Sequence, residues 1–272
     1  DEKMLTAWNG LMISGLCWAA RALMSLERNY LGRKTLAAAQ AAFSRLTREL
    51  VTEAGGSRLH GSLQANQPRF NANLDDYAFM ALAALDLSRT TSNVSYAREY
   101  LAWAERWLMT IQDQFRDSSG GGHFFTSIDH EKLILRPKTV FDQSVPAGVA
   151  VALECFGALA ELSGSNAERF RREKDMVIKE LLSYVERSPV GCGQLGAATL
   201  ADFVGPVVVS GASTNEVVRH AHVFVKPSGD SALQYCHQQS CQQVPDRAQF
   251  VAQVFRVAAF GRELFSHKKV LE

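Results

Sequence analysis

The chain has no excess of either charge: 29 Lys and Arg stand against 28 Asp and Glu, a formal net charge of +1, and no stretch concentrates five or six like charges. A polyanion or an anionic surface therefore has nothing extended to grip, which argues against nucleic acid and membrane as partners. Apolar runs are also short. None approaches the roughly 18 uncharged residues a spanning helix needs, and Asp1 and Glu2 ahead of a short amphipathic segment do not make a signal peptide. Cysteine is sparse and odd in number: Cys17, Cys155, Cys192, Cys236 and Cys241. That is unlike a small secreted disulfide scaffold, and no Cys-x-x-Cys pair occurs, so the expected compartment is the cytoplasm. A Met at position 1 is absent too, and a helix begins almost at once, as expected for an excerpt or a split piece of something longer.

What is present is a hydrophobic share of 47% over 272 residues, enough for a sizeable core and against disorder. The sequence also carries a near-repeat. Thr6-Ala-Trp-Asn-Gly-Leu-Met, Leu74-Asp-Asp-Tyr-Ala-Phe-Met and Asp142-Gln-Ser-Val-Pro-Ala-Gly recur at a spacing of 68 residues, each opening an apolar helical run followed by a break and a more charged helix. The pattern predicts stacked helical hairpins. If equivalent helices run in one direction, their first turns share one end of the assembly, and the polar and aromatic residues there line one mouth.

Helices are predicted over about 5–26, 34–51, 74–88, 94–115, 144–162, 167–185 and 194–203, with a last one over about 246–260 and a frayed tail from 262. Asn73 is the expected N-cap of the third, with Asp75 and Asp76 in its first turn, where negative charge opposes the helix dipole. Tyr96, Tyr100, Trp103 and Trp107 form a stripe that reads as core. The charged face of the sixth, with Glu168, Arg171, Arg172, Lys174, Lys179 and Glu180, marks an outer helix. Segment 54–70 predicts a short hairpin. Gly120-Gly-Gly-His-Phe-Phe-Thr126 and Leu133-Ile-Leu-Arg-Pro-Lys138 around the turn Ser127-Ile-Asp-His-Glu-Lys132 predict a second β-hairpin. After Pro189 the pattern changes to strands at 207–210 and 222–226, a compact βαβ-like remnant, so residues 1–189 form the helical-hairpin portion and 190–272 a segment completing or appended to it.

The motifs resemble the C-terminal part of the YyaL-like proteins, the family of the spermatogenesis-associated thioredoxin-domain protein. The resemblance lies in Asp1-Glu-Lys-Met-Leu-Thr-Ala-Trp-Asn-Gly-Leu-Met-Ile13, Leu74-Asp-Asp-Tyr-Ala-Phe79, Gly121-Gly-His-Phe-Phe-Thr126, Arg136-Pro-Lys138 through Asp142 to Pro146, and Cys236 with Cys241. It implies a mainly α fold: a partial (α/α)6 toroid of helical hairpins with β-hairpin insertions and a small C-terminal α/β appendage, akin to N-acylglucosamine 2-epimerases and six-hairpin glycosidases. Such proteins carry an N-terminal thioredoxin-like domain. That domain and the N-terminal half of the toroid are the expected missing partners of this chain. The sequence departs from the family at Val145-Pro-Ala-Gly-Val, where relatives tend to have Pro-Ser-Gly-Asn, and it is shortened between the two late strands.

The resemblance implies binding or processing of a carbohydrate-like small molecule, with isomerase or glycoside hydrolase chemistry, and no cofactor. A non-enzymatic interaction domain and a degenerate fragment without independent activity are the alternatives. Sugar chemistry needs proton-transfer groups and aromatic faces. Asp76, Asp142 and His123 are the catalytic candidates, and Trp8, Asn9, Asp75, Tyr77, Arg136 and Lys138 the substrate-binding ones. Adjacent helical residues diverge by about 100°, so Asp75 and Asp76 do not face one cavity together. Asp142 is expected either to cap the inner helix that follows it or to pair with one of them across the mouth, where Arg136 and Lys138 would lower the carboxylate pKa values. His60 lies over the same end. A metal centre at Cys236, His237 and Cys241 lacks two clear ligands, so no metal is expected, and a local disulfide or free thiols fit better. Gly120-Gly-Gly lacks the Lys-Ser/Thr of a phosphate loop, and Gly191-Cys-Gly-Gln-Leu-Gly196 follows no strand, so neither is a nucleotide motif.

Overall fold

The structure is a computed structural model that describes residues 2–52, 57–132, 134–204, 207–210, 223–225, 234–237 and 240–243. Its body is built from helical hairpins: α1 (Thr6–Ser25) with α2 (Asn29–Leu50), α3 (Leu74–Thr90) with α4 (Val94–Phe115), and α5 (Gly148–Leu162) with α6 (Ala167–Arg187), followed by α7 (Gly193–Val204). Connections of only a few residues within each pair make the partners antiparallel neighbours. The first helix of each pair packs on the first helix of the next, α1 on α3, α3 on α5 and α5 on α7, while α2, α4 and α6 stay outside. The chain is therefore mainly α, an arc of an (α/α) toroid.

Composition sorts the two layers. In α3, 15 of 17 residues are buried, including Asp86 and Arg89, because it is hemmed in by α1, α4 and α5. The outer α6 buries only Phe170, Glu173, Val177 and Leu181 and keeps its other charges out of the core. The aromatic stripe of α4 packs as core except at Tyr96, which is exposed: Trp107 is sealed, and Phe43 of α2 meets Tyr100 edge-on at 5.4 Å and Trp107 at 5.8 Å. Close approach is set by glycine where helices cross. A Cβ on Gly10 would lie 2.8 Å from the Phe79 carbonyl carbon, so α1 touches α3 backbone to backbone there.

Short strands dress the helix ends. β1 (Met4–Leu5), β2 (His60–Gln64) and β3 (Gln67–Asn71) form an antiparallel sheet, with the turn at Ala65 and Asn66 carrying positive φ at both residues, as a two-residue hairpin loop requires. Thr6 Oγ1 donates to the His60 carbonyl at 2.6 Å and pins the start of α1 to this sheet. A second sheet has the order β5-β4-β6-β7: β4 (Val207–Ser210) runs parallel to β5 (Val223–Val225) and antiparallel to β6 (Gln234–His237), which pairs with β7 (Ser240–Gln243). β6 and β7 have no counterpart in the sequence reading. The helix expected over 246–260 and the tail lie outside the described residues.

Three expectations are corrected. The hairpin expected over 120–138 is an irregular loop whose only β contact among the described residues is the isolated bridge between Arg116 and His123. The Asp117 carboxylate takes the Ser119 and Gly120 amides at 2.9 and 3.0 Å, and Gly121 and Gly122 adopt φ near +70°, which turns the chain away from an extended path. Helix α2 starts at Asn29 rather than near residue 34. Gly32 lets that extra turn sit against Met24 and Ala20 of α1. Helix α5 starts at Gly148, because Pro146 and an aspartate cap hold the preceding residues outside the helix.

Candidate functional site

The first turns of the inner helices lie at one end, and aspartates join them. Asp76 Oδ2 accepts from the Asn73 amide at 2.8 Å, closing a capping box on α3, while its Oδ1 accepts from the Ala7 amide in the first turn of α1 at 2.9 Å. Asp142 repeats this between the next pair. Its Oδ1 accepts from Ala147, the N-cap of α5, at 2.8 Å, and its Oδ2 from Gln194, the second residue of α7, at 2.9 Å. Each carboxylate thus satisfies orphan amides of two neighbouring parallel helices, where the dipoles concentrate positive charge.

Asp75 fills the remaining gap, between α3 and α5. Its carboxylate lies against Gly148, where a Cβ would sit 2.1 Å from Oδ1, so only glycine fits at the head of α5. Unlike the other two, it is incompletely used: Oδ1 is enclosed and has no hydrogen-bond partner. Burial pushes the Asp75 carboxyl up to about 6, with the Gly148 amide pulling the other way. Burial likewise raises Asp76 to about 7 against the lowering effect of the Asn73 and Ala7 amides, and the Asp75 charge adds to the rise. Neither Arg136 nor Lys138 is among the causes at Asp75 or Asp76, so the expected lowering does not occur at these two carboxylates.

Those two cations are held elsewhere. Arg136 donates to the Thr126 carbonyl at 2.5 Å and its guanidinium lies 4.1 Å over Phe124. Lys138 pairs with Asp117 at 2.7 Å, donates to the Gly121 carbonyl and lies 5.1 Å from the same ring. Trp8, in the first turn of α1 one residue after Ala7, is 64% exposed. Asn9 Nδ2 donates to the Leu5 carbonyl at 2.8 Å. Tyr77 is core: its hydroxyl accepts from the Leu59 amide at 3.0 Å and its ring meets Phe115 at 5.3 Å. His60 Nδ1 lies 3.2 Å from the Phe70 carbonyl in the β2–β3 hairpin.

His123 is buried on the α4–α6 side. Its ring lies over Phe156 at 6.3 Å and Nε2 is 3.1 Å from Glu173 Oε1, which Arg116 also engages at 2.7 Å. Burial pushes the Glu173 carboxyl up, but His123, Arg116 and Gln112 together hold it below the usual carboxylate range. The rim therefore assembles Trp8, Asn9, Asp75, Asp76 and Asp142, whereas Tyr77, His123, Arg136 and Lys138 belong to the surrounding packing.

A second polar cluster, missed in the sequence, lies deeper along the inner helices. Asp86 of α3 is fully buried and meets Arg89 Nε at 2.9 Å, Arg21 Nη1 of α1 at 3.4 Å and the Ser14 hydroxyl. Arg21 stacks on Trp18 at 4.1 Å, and burial pulls its pKa down while Asp86 opposes. Glu154 of α5, raised chiefly by burial, accepts from Gln194 Nε2 at 2.9 Å. The signal was available: each of these charges interrupts an otherwise apolar helical run. Cys17, beside Asp86, is pushed up to about 12 by burial first and the Asp86 charge second, so it is inert. Among the described residues no group of three or more His, Cys, Asp and Glu side chains has metal-holding geometry.

Comparison with known proteins adds a relationship. No family model matches the chain. It is 34% identical over 175 residues to spermatogenesis-associated protein 20 of Rattus norvegicus, covering 60% of this chain and 20% of that protein. To the Homo sapiens protein of the same name it is 35% identical over 159 residues, covering 56% and 19%, and the Mus musculus protein is 30% identical over 161. Among solved structures, cellobiose 2-epimerase from Spirochaeta thermophila is similar with a TM-score of 0.48 and 19% identity, over 66% of this chain and 43% of that one. The chain spans about a fifth of the length of the curated relatives it matches. Over that stretch it is homologous to spermatogenesis-associated protein 20.

Proposed function

We propose that the rim formed by the first turns of α1, α3 and α5 binds a carbohydrate-like small molecule. The observation that carries this reading is the contrast among three aspartates: both oxygens of Asp76 and of Asp142 are taken by backbone amides of two helices, while the half-buried Asp75 carboxylate is drawn by the Gly148 amide alone. A carboxylate and an exposed aromatic ring at the same end of the helices are groups a sugar can use, hydroxyls to the one and a ring face to the other. Trp8 supplies the ring and Asn9 an amide. With its proton held up to about 6, Asp75 is also the rim group suited to give or take a proton near neutrality, the requirement of isomerase or hydrolase chemistry. In this reading Asp76 and Asp142 hold the helices that carry the site.

Titration of the chain with hexoses and disaccharides by calorimetry and saturation-transfer NMR tests it. Saturable binding is expected, weakened about tenfold, close to 1.4 kcal/mol, by Trp8→Ala and by Asp75→Asn. Asp142→Asn should lower the melting temperature with the affinity of the remaining folded protein retained. Absence of saturable binding at tens of millimolar sugar, or binding indifferent to both Trp8→Ala and Asp75→Asn, sinks the proposal.

A further inference from the structure

The guanidinium of Arg21 is only half used. Its Nη1 donates to Thr90 Oγ1 at 3.0 Å and meets Asp86 Oδ1 at 3.4 Å, whereas Nε and Nη2 are enclosed and have no hydrogen-bond partner. Those two nitrogens share one edge of the planar group. Their N–H bonds run side by side, the fork that a carboxylate or phosphate accepts in a bidentate pair. Asp86 does not turn to that edge, because its Oδ1 also holds Arg89 Nε at 2.9 Å and its Oδ2 accepts from the Ser14 hydroxyl. Trp18 does not satisfy it either. Its ring lies 4.1 Å from the guanidinium carbon and engages the face of the plane, which leaves the in-plane donors unmade.

The charges around the fork favour an anion. Arg89 lies 6.0 Å from the same Trp18 ring, so two guanidiniums share one indole and the single carboxylate of Asp86. The other carboxyl within electrostatic reach of Arg89, Glu154, is held toward its neutral form by burial. Burial also pulls the Arg21 pKa down, and an anion on the open edge would oppose that pull. Ser14 and Arg21, two turns apart on one face of α1, both contact Asp86 of α3. The fork is therefore enclosed between two helices of this chain and does not lie on the outward face of α1. Trp18 covers it: the indole is 37% exposed and rests on an arginine side chain that is 5% exposed, so rotation of one ring is the movement that admits a ligand.

We propose that Arg21, supported by Arg89 and covered by Trp18, binds a small oxyanion, a carboxylate or phosphate group, between α1 and α3. Asp86 follows Asp75 by eleven residues, which sets the fork about 16 Å down α3 from the rim at about 1.5 Å per residue. The site does not rest on the rim reading.

Titration of the full chain with inorganic phosphate, and separately with acetate, tests it at an ionic strength held constant with chloride. The Arg21 Nε–H signal in nitrogen-edited NMR should shift downfield and saturate, and the melting temperature should rise with the same anion. Phosphate and acetate should compete, and the tighter of the two names the group the site prefers. Arg21→Lys keeps the charge and removes the fork, so affinity should fall about tenfold or more. Trp18→Ala should keep the saturable shift and speed its exchange. The Nε–H shift is read in the unaltered chain and decides the matter even where Arg21→Lys does not fold. No saturable shift with either anion at tens of millimolar, an equal effect of chloride, or affinity unchanged in folded Arg21→Lys overturns the proposal. None of these readings involves sugar, so the rim reading stands or falls separately.

Discussion

Asp86 shows how much a single buried side chain decides. It is the anion between Arg21 and Arg89, all three nearly or fully enclosed, and removing it takes the counter-charge from two buried cations, one of them already short of partners: Arg21 Nε and Nη2 have none. Breaking such a group by deleting one member costs about 3–5 kcal/mol. Asp86→Ala is expected to lower the unfolding free energy by that amount in urea denaturation, and a loss under about 1 kcal/mol would show that the arginines find other partners. The sequence marked this position as an anomaly only through its apolar surroundings. It did not say which arginine lay beside it, because that contact joins residues 21 and 86 across two helices. The Asp75–Asp76 step was readable further. The divergence of neighbouring helical side chains places the two carboxylates on different sides, and the structure puts a helix on each side: α1 takes Asp76, α5 takes Asp75.

Among elements, helix periodicity carried most of the architecture. The bounds of α4 were legible at both ends, since Asn93 accepts from the Ser95 and Tyr96 amides and starts the helix sharply. Where side chains rather than periodicity direct the backbone, legibility failed. The loop before α5 looks like alternating strand, but Asp117, Arg136 and Lys138 spend their hydrogen bonds on its own carbonyls and amides. Helix crossings offer a sharper check. Gly10→Ala drives a methyl to 2.8 Å from the Phe79 carbonyl carbon and should destabilise by about 1–3 kcal/mol as overpacking. Gly15→Ala, on the same helix with open space around it, should stabilise by about 0.5–1 kcal/mol by removing backbone freedom from the unfolded chain. Equal effects from the two substitutions, followed by chemical denaturation, would contradict the α1–α3 contact.

For the whole molecule, the rim carboxylates tie stability to pH. Asp76 and Asp75 rise from 3.8 to about 7 and about 6 on folding, so the folded chain favours their protonated forms. That contribution is fully present below the unfolded value near 4 and is lost as pH climbs through the folded values. Glu173 and Asp129 lie below their ordinary values and act in the opposite sense, losing stabilisation as pH falls through them. A comparison cancels the second group. The stability of the parent chain minus that of Asp76→Asn should decline between about pH 4 and pH 8, because the amide does not ionise. A difference flat across that range would show that burial does not raise Asp76. The arc itself, with α1, α3, α5 and α7 side by side, needed tertiary contacts to be seen; the 68-residue spacing supplied its repeat but not its seams. No helix among the described residues is long and apolar enough to cross a membrane.

Helix ends are ordinarily where a fold loosens first, because the outermost amides have no partner within the helix. Here the outermost amides of α1 and α3 hang on one carboxylate and those of α5 and α7 on another. Neither member of a pair can fray without releasing the other. Local opening at this pole is therefore a paired event, and the end of the molecule that would breathe most freely becomes its most concerted part.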